Sequence, residues 1–545
     1  MPFRIMKKIL SALLLLLGIV AAHAQQPFKE FIYAQTDKNF YLAGERLWFK
    51  LYNLDENNRL MQGGSRVAYV QLVGDTPNTV QCTVEIDSTA TADGVLELPF
   101  TIPSGLYKLC AYTRNMLNMG EQALFTKTIH VFNALRYEKQ TDKVSLERTV
   151  ATPDFSAGSS LISTDKAEYG TREAVNIDLS KLPADAIMAV SVVRTDGWRM
   201  GDTPITQYAA PATTITGNLT PETESQIIEG TYTSTNGTPA VNANISLRSP
   251  VVRYYPGIVD NAGNVQFFTP LMYGVNTIFT GVEPGGSITL KSPFKAPLLD
   301  ELIPVEISQA DRDAVQERSL GIQAARYFGT DSLTRHSSAV EGLHRYELIS
   351  RYDMENYRRF NSFKETFIEY IYELGTTTTP EGKQRVTMFD EFTGRQNQGN
   401  TLVLIDGVAV MNHEDLLNYN PHYCRYIDIY IGHYVFANQE YAGIVNFRTP
   451  RGNKMHFALP DNSREQAFCG IQQATSMPLV CRDANAAPMP QQMPDMRHTL
   501  YWNPQASAGT LQCFTSDLKG TFVVTVEGIT PDGNRIYTTT QFSVK

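Results

Sequence analysis

Cys424 lies between His422 and His433, and a thiol beside an imidazole is the minimal nucleophile and base of a cysteine hydrolase. Around it, however, Tyr426, Ile427 and Ile429 read as a packed strand, and no Asn or Asp stands by pattern to orient a histidine. Cys424 therefore reads as a core thiol. The paired acids Glu414 and Asp415 sit where a helix begins, a place that favours negative charge without catalysis. Asp260, Asn261 and Asn264 offer oxygens, but the acidic ligands of a calcium loop are missing and an Asx-rich hairpin turn accounts for them. The chain carries no G-x-S-x-G, no H-E-x-x-H, no P-loop and no G-x-G-x-x-G after a strand. The expectation is a protein that is not an enzyme, with no catalytic residue, no metal and no cofactor.

The six cysteines, Cys82, Cys110, Cys424, Cys469, Cys481 and Cys513, show no CxxC or Cys/His ligand spacing, which argues against metal binding. Cys82 with Cys110, and Cys469 with Cys481, are the pairs near enough in sequence to be candidate disulfides; two unpaired core thiols is the other reading of each pair.

Arg4, Lys7 and Lys8 precede the apolar run Ile9 to Ala22, and Ala22-His23-Ala24 is a small-x-small cleavage site. That is the pattern of a leader over residues 1–24, with a mature chain starting at Gln25 and exported. The run is shorter than the ~20 residues of a membrane span, and no later stretch is long enough, so the mature chain is expected to lack a transmembrane span of its own. Losing the leader takes the formal charge from −9 to −12, 44 basic against 56 acidic side chains. An acidic balance without a basic patch argues against nucleic acid as a partner. At 545 residues and 42% hydrophobic composition the chain has material for several cores.

The elements that would position any site are mostly strands. Thr401 to Ile405 and Val408 to Met411 are apolar runs joined by Asp406-Gly407, the dipeptide best suited to the positive φ angles of a type I′ hairpin. A polar-capped helical turn follows around His413 to Asn418, then the alternating Tyr426 to Tyr430, then a last strand Ala442 to Thr449. Strand, DG turn, short helix, strand and G-I-V-N-F-x-T-x-x-G in that order resemble the plug domain of TonB-dependent outer-membrane receptors. In that family a large barrel follows the plug, which needs some twenty strands of roughly ten residues. Only about ninety residues follow here, so the expectation is an orphan plug-like unit over 399–456 and not a transporter. Asp406, Gly407 and Gly443 read as its structural turn and close-approach positions. The tips Val408 to Leu417 and Gly432 to Gln439, with Val408, His413, Tyr434 and Phe436, are the candidate partner-binding residues, although such aromatics suit a core as well.

An internal repeat organises the first half. T-D-K-x-x-Y-x-x-x-E runs from Thr36 to Glu45 and recurs from Thr164 to Glu173, an offset of 128 residues. Each copy reads as a strand, a polar turn and a second strand whose apolar residues alternate inward, as at Leu47, Phe49 and Leu51. These motifs resemble the start of macroglobulin-type β-sandwich domains; the first copy, Q-T-D-K-x-x-Y-x-x-G-E, is nearly complete, and the second lacks the glycine before Glu173. Macroglobulin protease traps carry a C-G-E-Q thioester, and Met119-Gly120-Glu121-Gln122 mimics it, but methionine cannot supply the sulfur that condenses with the glutamine. The segment reads as a turn.

The stretch Gln226 to Leu290 alternates strand and turn and resembles the small regulatory sandwich that accompanies carboxypeptidases. A helical region is expected between about Asp311 and Leu374, with a capping box at Ser362 and Glu365, an apolar face of Phe363, Phe367, Ile371 and Leu374, and a stop at Gly375. Gly375 to Gly382 reads as a loop, Arg385 to Phe389 as a strand, and Ala486 to Met496 as a linker. The fold class is mostly β and multidomain: a leader at 1–24, macroglobulin-like sandwiches at 25–135 and 136–222, a small sandwich at 223–303, a helical segment at 304–398, the α/β plug-like unit at 399–456 and a C-terminal sandwich at 457–545. The resemblances imply a non-enzymatic accessory or scaffold protein of the Gram-negative envelope. It would sit in the periplasm at the outer membrane and bind an outer-membrane β-barrel protein or an envelope complex. The alternatives are a non-covalent macroglobulin-like protease inhibitor and a surface-exposed glycan- or peptide-binding protein.

Overall fold

The computed structural model describes residues 27–75, 79–136, 144–146, 161–195, 203–235, 237–240, 242–249, 251–283, 285–300, 302–303, 305–307, 312–329, 333–335, 348–390, 395–436, 439–450, 462–477 and 493–545. The leader expected at 1–24, Cys481 and most of the linker expected at 486–496 lie outside them. The protein is mostly β with several sheets, and it divides into two compact units. Met1–Glu224, Phe294–Ser337 and Gln472–Lys545 make one; Ser225–Pro293 and Ser338–Ile471 make the other. Among the described residues no helix is long and apolar enough to cross a membrane.

In the first unit, strands Phe31–Thr36, Arg46–Leu54 and Thr91–Glu97 form a three-stranded sheet facing a five-stranded one. The larger sheet runs in the order Phe40–Leu42, Phe125–Phe132, Gly105–Thr113, Val67–Val73, Val80–Glu85, and its edge pair Phe40–Leu42 with Phe125–Phe132 is parallel. The inward alternation of Leu47, Phe49 and Leu51 is present, yet Leu47 to Leu54 are all buried. Their outer side is covered as well, with Trp48 packed against Val95, Ala189 and Trp502. A charged residue on that covered face needs partners, and the Lys50 ammonium donates to the carbonyls of Met188 at 3.3 Å and Pro504 at 2.5 Å. Burial pushes that ammonium down to about 8.

A second sandwich repeats this plan strand for strand. Its small sheet is Ser163–Thr164, Ala174–Asp178 and Thr510–Phe514. Its large sheet runs Glu168–Tyr169, Arg535–Val544, Gly520–Ile529, Ile187–Arg194, Thr499–Ala506, again with a parallel first pair. In the first copy the fourth and fifth strands are joined by the short connection 74–79; in the second, residues 195–498 stand in that place. The chain thus leaves the second sandwich part-built and returns to finish it. This corrects two of the expected domains. Residues 136–222 hold only part of a sandwich, and 457–545 form no separate one: Thr499–Val544 complete the second sandwich, while Ser463–Cys469 joins a sheet of the other unit. The physical reason is that Val190 and Val192 of the strand Ile187–Arg194 need neighbours on both edges, which only the C-terminal strands supply.

In the second unit, a seven-stranded antiparallel sheet runs Ser287–Leu290, Gln226–Thr233, Asn264–Thr269, Tyr254–Val259, Asn242–Leu247, Val275–Glu283, Ser463–Cys469. Its ends curl together, since Gln466 accepts from the Leu290 amide at 3.1 Å and donates to the Ile288 carbonyl at 2.9 Å. The other sheet of this unit runs Ser350–Asp353, Tyr426–Phe436, Gln439–Arg448, Arg395–Ile405, Gln384–Asp390, Leu374–Thr378, with Val408–Ala409 folded back on Ile405. Arg395–Ile405 and Gln439–Arg448 pair in parallel, Thr401 opposite Gly443. Alternation along Leu402-Val403-Leu404-Ile405 divides the apolar residues between two faces. Val403 and Ile405 meet the helices Phe363–Tyr370 and His413–Leu417, and Leu402 and Leu404 pack on Tyr254 of the curled sheet and on Val252 just before it. Burial on both faces explains the near-continuous apolar runs of these strands.

The expected helical region resolves into Arg312–Tyr327 in the first unit and Phe363–Tyr370 in the second. Ser362 caps the latter, accepting from the Glu365 amide at 3.3 Å. That helix ends four residues before Leu374, which together with Gly375 enters the strand Leu374–Thr378. Half of the supposed loop, Gly375 to Thr378, is therefore one arm of a hairpin with Gln384–Asp390, and the rest is its turn.

Candidate functional site

The residues with nucleophilic or ligand chemistry are each taken up by local structure. The Cys424 thiol is buried, donates to the Tyr426 carbonyl at 3.2 Å and is pushed up by burial, the opposite of an activated nucleophile. His422 pairs through Nδ1 with the Asn420 side chain at 2.8 Å. Glu414 accepts from the Gln384 amide at 2.9 Å and Asp415 from the Asn412 side chain at 2.8 Å. Asp260 accepts from the amides of Ala262 and Asn264 at 2.9 and 2.8 Å, closing its own turn. Gln122 donates to the Met119 carbonyl at 3.2 Å, and the thioester mimic is a pair of 3-10 turns. No group of three or more His, Cys, Asp or Glu among the described residues is arranged to hold a metal.

Cys82 and Cys110 are not bridged: they lie on strands that pair with opposite edges of Val67–Val73, opposite Val70 and Gln71. Two strand spacings, about 9.5 Å, exceed what a disulfide spans. Cys469 carries no bridge, and its expected partner Cys481 is outside the described residues.

The expected turn positions have the following geometry. Asp406 and Gly407 have φ of 48° and 85°, and the Asp406 carboxylate accepts from the Thr449 amide at 2.8 Å and its hydroxyl at 2.7 Å. A Cβ on Gly407 would sit 2.7 Å from the Leu247 carbonyl oxygen, and one on Gly443 would collide with the Met388 sulfur. The candidate docking tips differ from expectation. Val408 is 1% exposed and belongs to the core. Tyr434 and Phe436 stack at 6.3 Å, and Phe436 meets the Tyr254 ring at 5.2 Å, so the pair packs inside the unit rather than standing out as a tip. His413 accepts from the Val386 amide at Nδ1, 3.1 Å away, and burial, then Arg385, pushes its imidazole down to about 4.

A cluster of buried charge in the first unit lies on the repeat itself. Tyr41 donates to Asp37 Oδ1 at 2.7 Å, the Trp48 amide to the same oxygen at 3.1 Å, and the Leu42 amide to Glu45 Oε2 at 3.0 Å. The second copy makes the same set 128 residues on: Tyr169 to Asp165 at 2.6 Å, Asn176 amide to Asp165 at 2.9 Å, Gly170 amide to Glu173 at 2.6 Å. Lys38 and Lys166 lie over the rings of Tyr41 and Tyr169 at 5.0 and 5.7 Å. The motif is thus a hydrogen-bonded clasp across the turn between two strands. The repeat pointed to these residues, though not to their contacts.

Only the first clasp is enclosed. Arg318, on the helix Arg312–Tyr327, grips Glu45 with Nε at 2.8 Å and Nη2 at 2.7 Å, and Lys38 stands 3.4 Å from Glu45 and 3.7 Å from Asp37. Thr499 donates to Asp37 at 3.1 Å and accepts from Lys38 at 3.2 Å. Burial alone would lift the Glu45 carboxyl, but Arg318 and Lys38 outweigh it and hold it at about 2. At Asp37 burial wins over Lys38 and Tyr41, and the carboxyl lies above its ordinary range. Beside the clasp is a cavity of about 110 Å³ bordered by Lys38, Glu45, Trp48, Ile322, Met477 and His498. No local pattern announces Arg318, Thr499 or His498 as partners of a motif hundreds of residues earlier.

No family model matches the chain, and no curated protein does. Among solved structures, Salmonella alpha-2-macroglobulin reacted with methylamine matches 95% of this chain and 40% of its own, at 10% identity and a TM-score of 0.23. The native conformation of E. coli alpha-2-macroglobulin matches the same shares at 8% identity and 0.24. Domains 5-6 of the S-layer protein SbsC match 48% of this chain and 94% of their own, at 10% identity and 0.15. The chain spans about 40% of the length of those macroglobulins. Its assignment to a mostly β, multidomain class rests on the strand pairings above.

Proposed function

We propose that this chain is an exported, non-enzymatic accessory or scaffold protein of a Gram-negative cell envelope. Its seven-stranded mixed sheet is a plug-type module that engages an outer-membrane β-barrel or a barrel-containing assembly. The observation that supports the reading is the connection between the two parallel strands Arg395–Ile405 and Gln439–Arg448. They are joined through an Asp-Gly hairpin, a short capped helix and one long antiparallel strand, the order that carries the plug resemblance. Because the tips around Val408 and Phe436 are used internally, the docking surface falls on the helical side. There Ile368 is 73% exposed and Tyr372 82%, large apolar groups that a partner would cover.

The test is to tag the chromosomal copy, solubilise the envelope in mild detergent and identify what co-purifies. A stoichiometric outer-membrane barrel supports the proposal; recovery as a soluble monomer with no partner after crosslinking refutes it.

A further inference from the structure

The cavity beside the first clasp is bordered by a buried histidine whose polar atoms are unmet. His498 is 8% exposed, and neither of its ring nitrogens has a hydrogen-bond partner. Burial, then the Arg318 cation, pushes its imidazole well below the ordinary range, so it is neutral, with one N–H donor and one acceptor nitrogen. Two of the cations at the cavity already hold acids: Lys38 faces Glu45 at 3.4 Å and Asp37 at 3.7 Å, and Arg497 holds Asp495 at 2.6 Å. A neutral hydroxyl would satisfy the imidazole, giving to its acceptor nitrogen or accepting from its N–H.

The rest of the lining is apolar and suits a flat ring. The Trp48 indole, Ile322 and Ala325 border the cavity, and the thioethers of Met477 and Met496 are adaptable neighbours that favour aromatic contacts. A volume of about 110 Å³ admits one ring. An engineered apolar cavity of about 150 Å³ binds benzene.

We propose that this cavity binds a neutral phenolic ring, its hydroxyl hydrogen-bonded to His498 and its ring held among Trp48, Ile322, Met477 and Met496. The phenol is either a free small molecule or the tip of a tyrosine from another polypeptide. No covalent step is involved, and the inference is independent of the envelope role proposed above.

The test is 19F NMR of 4-fluorophenol and calorimetry with phenol, fluorobenzene and N-acetyltyrosinamide on the full mature chain. The expected result is saturable binding of phenol, at least tenfold tighter than fluorobenzene. His498→Gln, which keeps a donor and an acceptor, should retain it within a few fold. Ala325→Leu, which fills the cavity without touching the charged clasp, should abolish it with the circular dichroism spectrum unchanged. Binding of N-acetyltyrosinamide as well assigns the site to a tyrosine of a partner; binding of phenol alone assigns it to a free ring. No saturable phenol binding, which would mean the cavity holds water only, overturns the proposal. So does equal affinity for fluorobenzene, or binding that survives Ala325→Leu.

Discussion

The Tyr41 hydroxyl donates to the Asp37 carboxylate at 2.7 Å, and 128 residues later Tyr169 makes the same bond to Asp165 at 2.6 Å. Two sandwiches of one plan therefore begin with the same clasp, one enclosed and one open to solvent. The difference in burial makes the energetics separable. Tyr41→Phe removes one donor from a buried carboxylate and is expected to cost about 1–3 kcal/mol, whereas Tyr169→Phe, whose partner Asp165 is exposed, should cost less than about 1 kcal/mol. Chemical denaturation of both variants checks the ordering, and equal costs would contradict it.

Arg318 grips the buried Glu45 through two hydrogen bonds of 2.8 and 2.7 Å. Arg318→Ala leaves that carboxylate enclosed with Lys38 as its remaining cation, and breaking one side of such a pair costs about 3–5 kcal/mol. Replacing both residues, Glu45→Leu with Arg318→Met, should recover most of that loss. A double-mutant cycle on the urea midpoint reads the coupling.

Acid should weaken the fold in a defined order. His413 is pushed down to about 4 in the folded chain, while an unfolded imidazole titrates near 6.5. Between those values the unfolded chain binds a proton that the folded one does not. His413 therefore favours folding fully above about pH 6.5, and that contribution is lost as pH falls toward 4. Glu45, held at about 2, adds stability that is present above about pH 4.5 and lost as pH falls through 2. His413→Gln should flatten the stability-against-pH slope between pH 6.5 and 4 by up to about 1.4 kcal/mol per pH unit. An unchanged slope would show that the imidazole does not stay neutral.

Gly407 has φ of 85° and places its α-carbon against the backbone of Leu247 and Ser249. Gly407→Ala asks a side chain to enter both a strained conformation and an occupied space, with an expected cost of about 2–4 kcal/mol to the unit that contains it. Thermal unfolding reads the loss, and a Tm within a degree of the parent would count against the hairpin geometry.

The second sandwich depends on residues at the far end of the chain. A truncation before Thr499 removes both neighbours of the strand Ile187–Arg194 and uncovers Val190 and Val192. Hydrogen exchange along Ile187–Arg194 should rise toward the unfolded rate in that truncation, while the strand Val67–Val73, both of whose neighbours remain, keeps its protection. Retained protection along Ile187–Arg194 would contradict its pairing with the C-terminal strands.

What could be read from the residues alone was what is local. The Asp406-Gly407 turn, the Ser362 cap and the T-D-K-x-x-Y-x-x-x-E repeat each place their signal within a few positions, and the fold holds a positive-φ turn, a capped helix and a repeated strand-turn-strand unit at those residues. What could not be read was which distant strands pair. Ile187–Arg194 is an apolar run that fits many neighbours equally, and Thr499–Ala506, with Asn503, Pro504 and Gln505 in succession, carries no clear alternation to mark it as the partner. The same holds for Val408, Tyr434 and Phe436, whose types suit an interface or a core; Val408 is buried, and Tyr434 and Phe436 pack on the cluster that contains Tyr254 of the curled sheet. Cys82 and Cys110 were close in sequence but separated by a strand. Arg318 and His498 reach the first clasp only through the tertiary fold.

The proposed docking of the second unit onto an envelope partner through its helical side has a direct test. A photo-crosslinking residue placed at Tyr372, compared with one at Val275, which is equally exposed at 82%, tests this in living cells. The account predicts an adduct between position 372 and an outer-membrane β-barrel protein, and none from position 275. No protein adduct from position 372, or the same adducts from both positions, would contradict it.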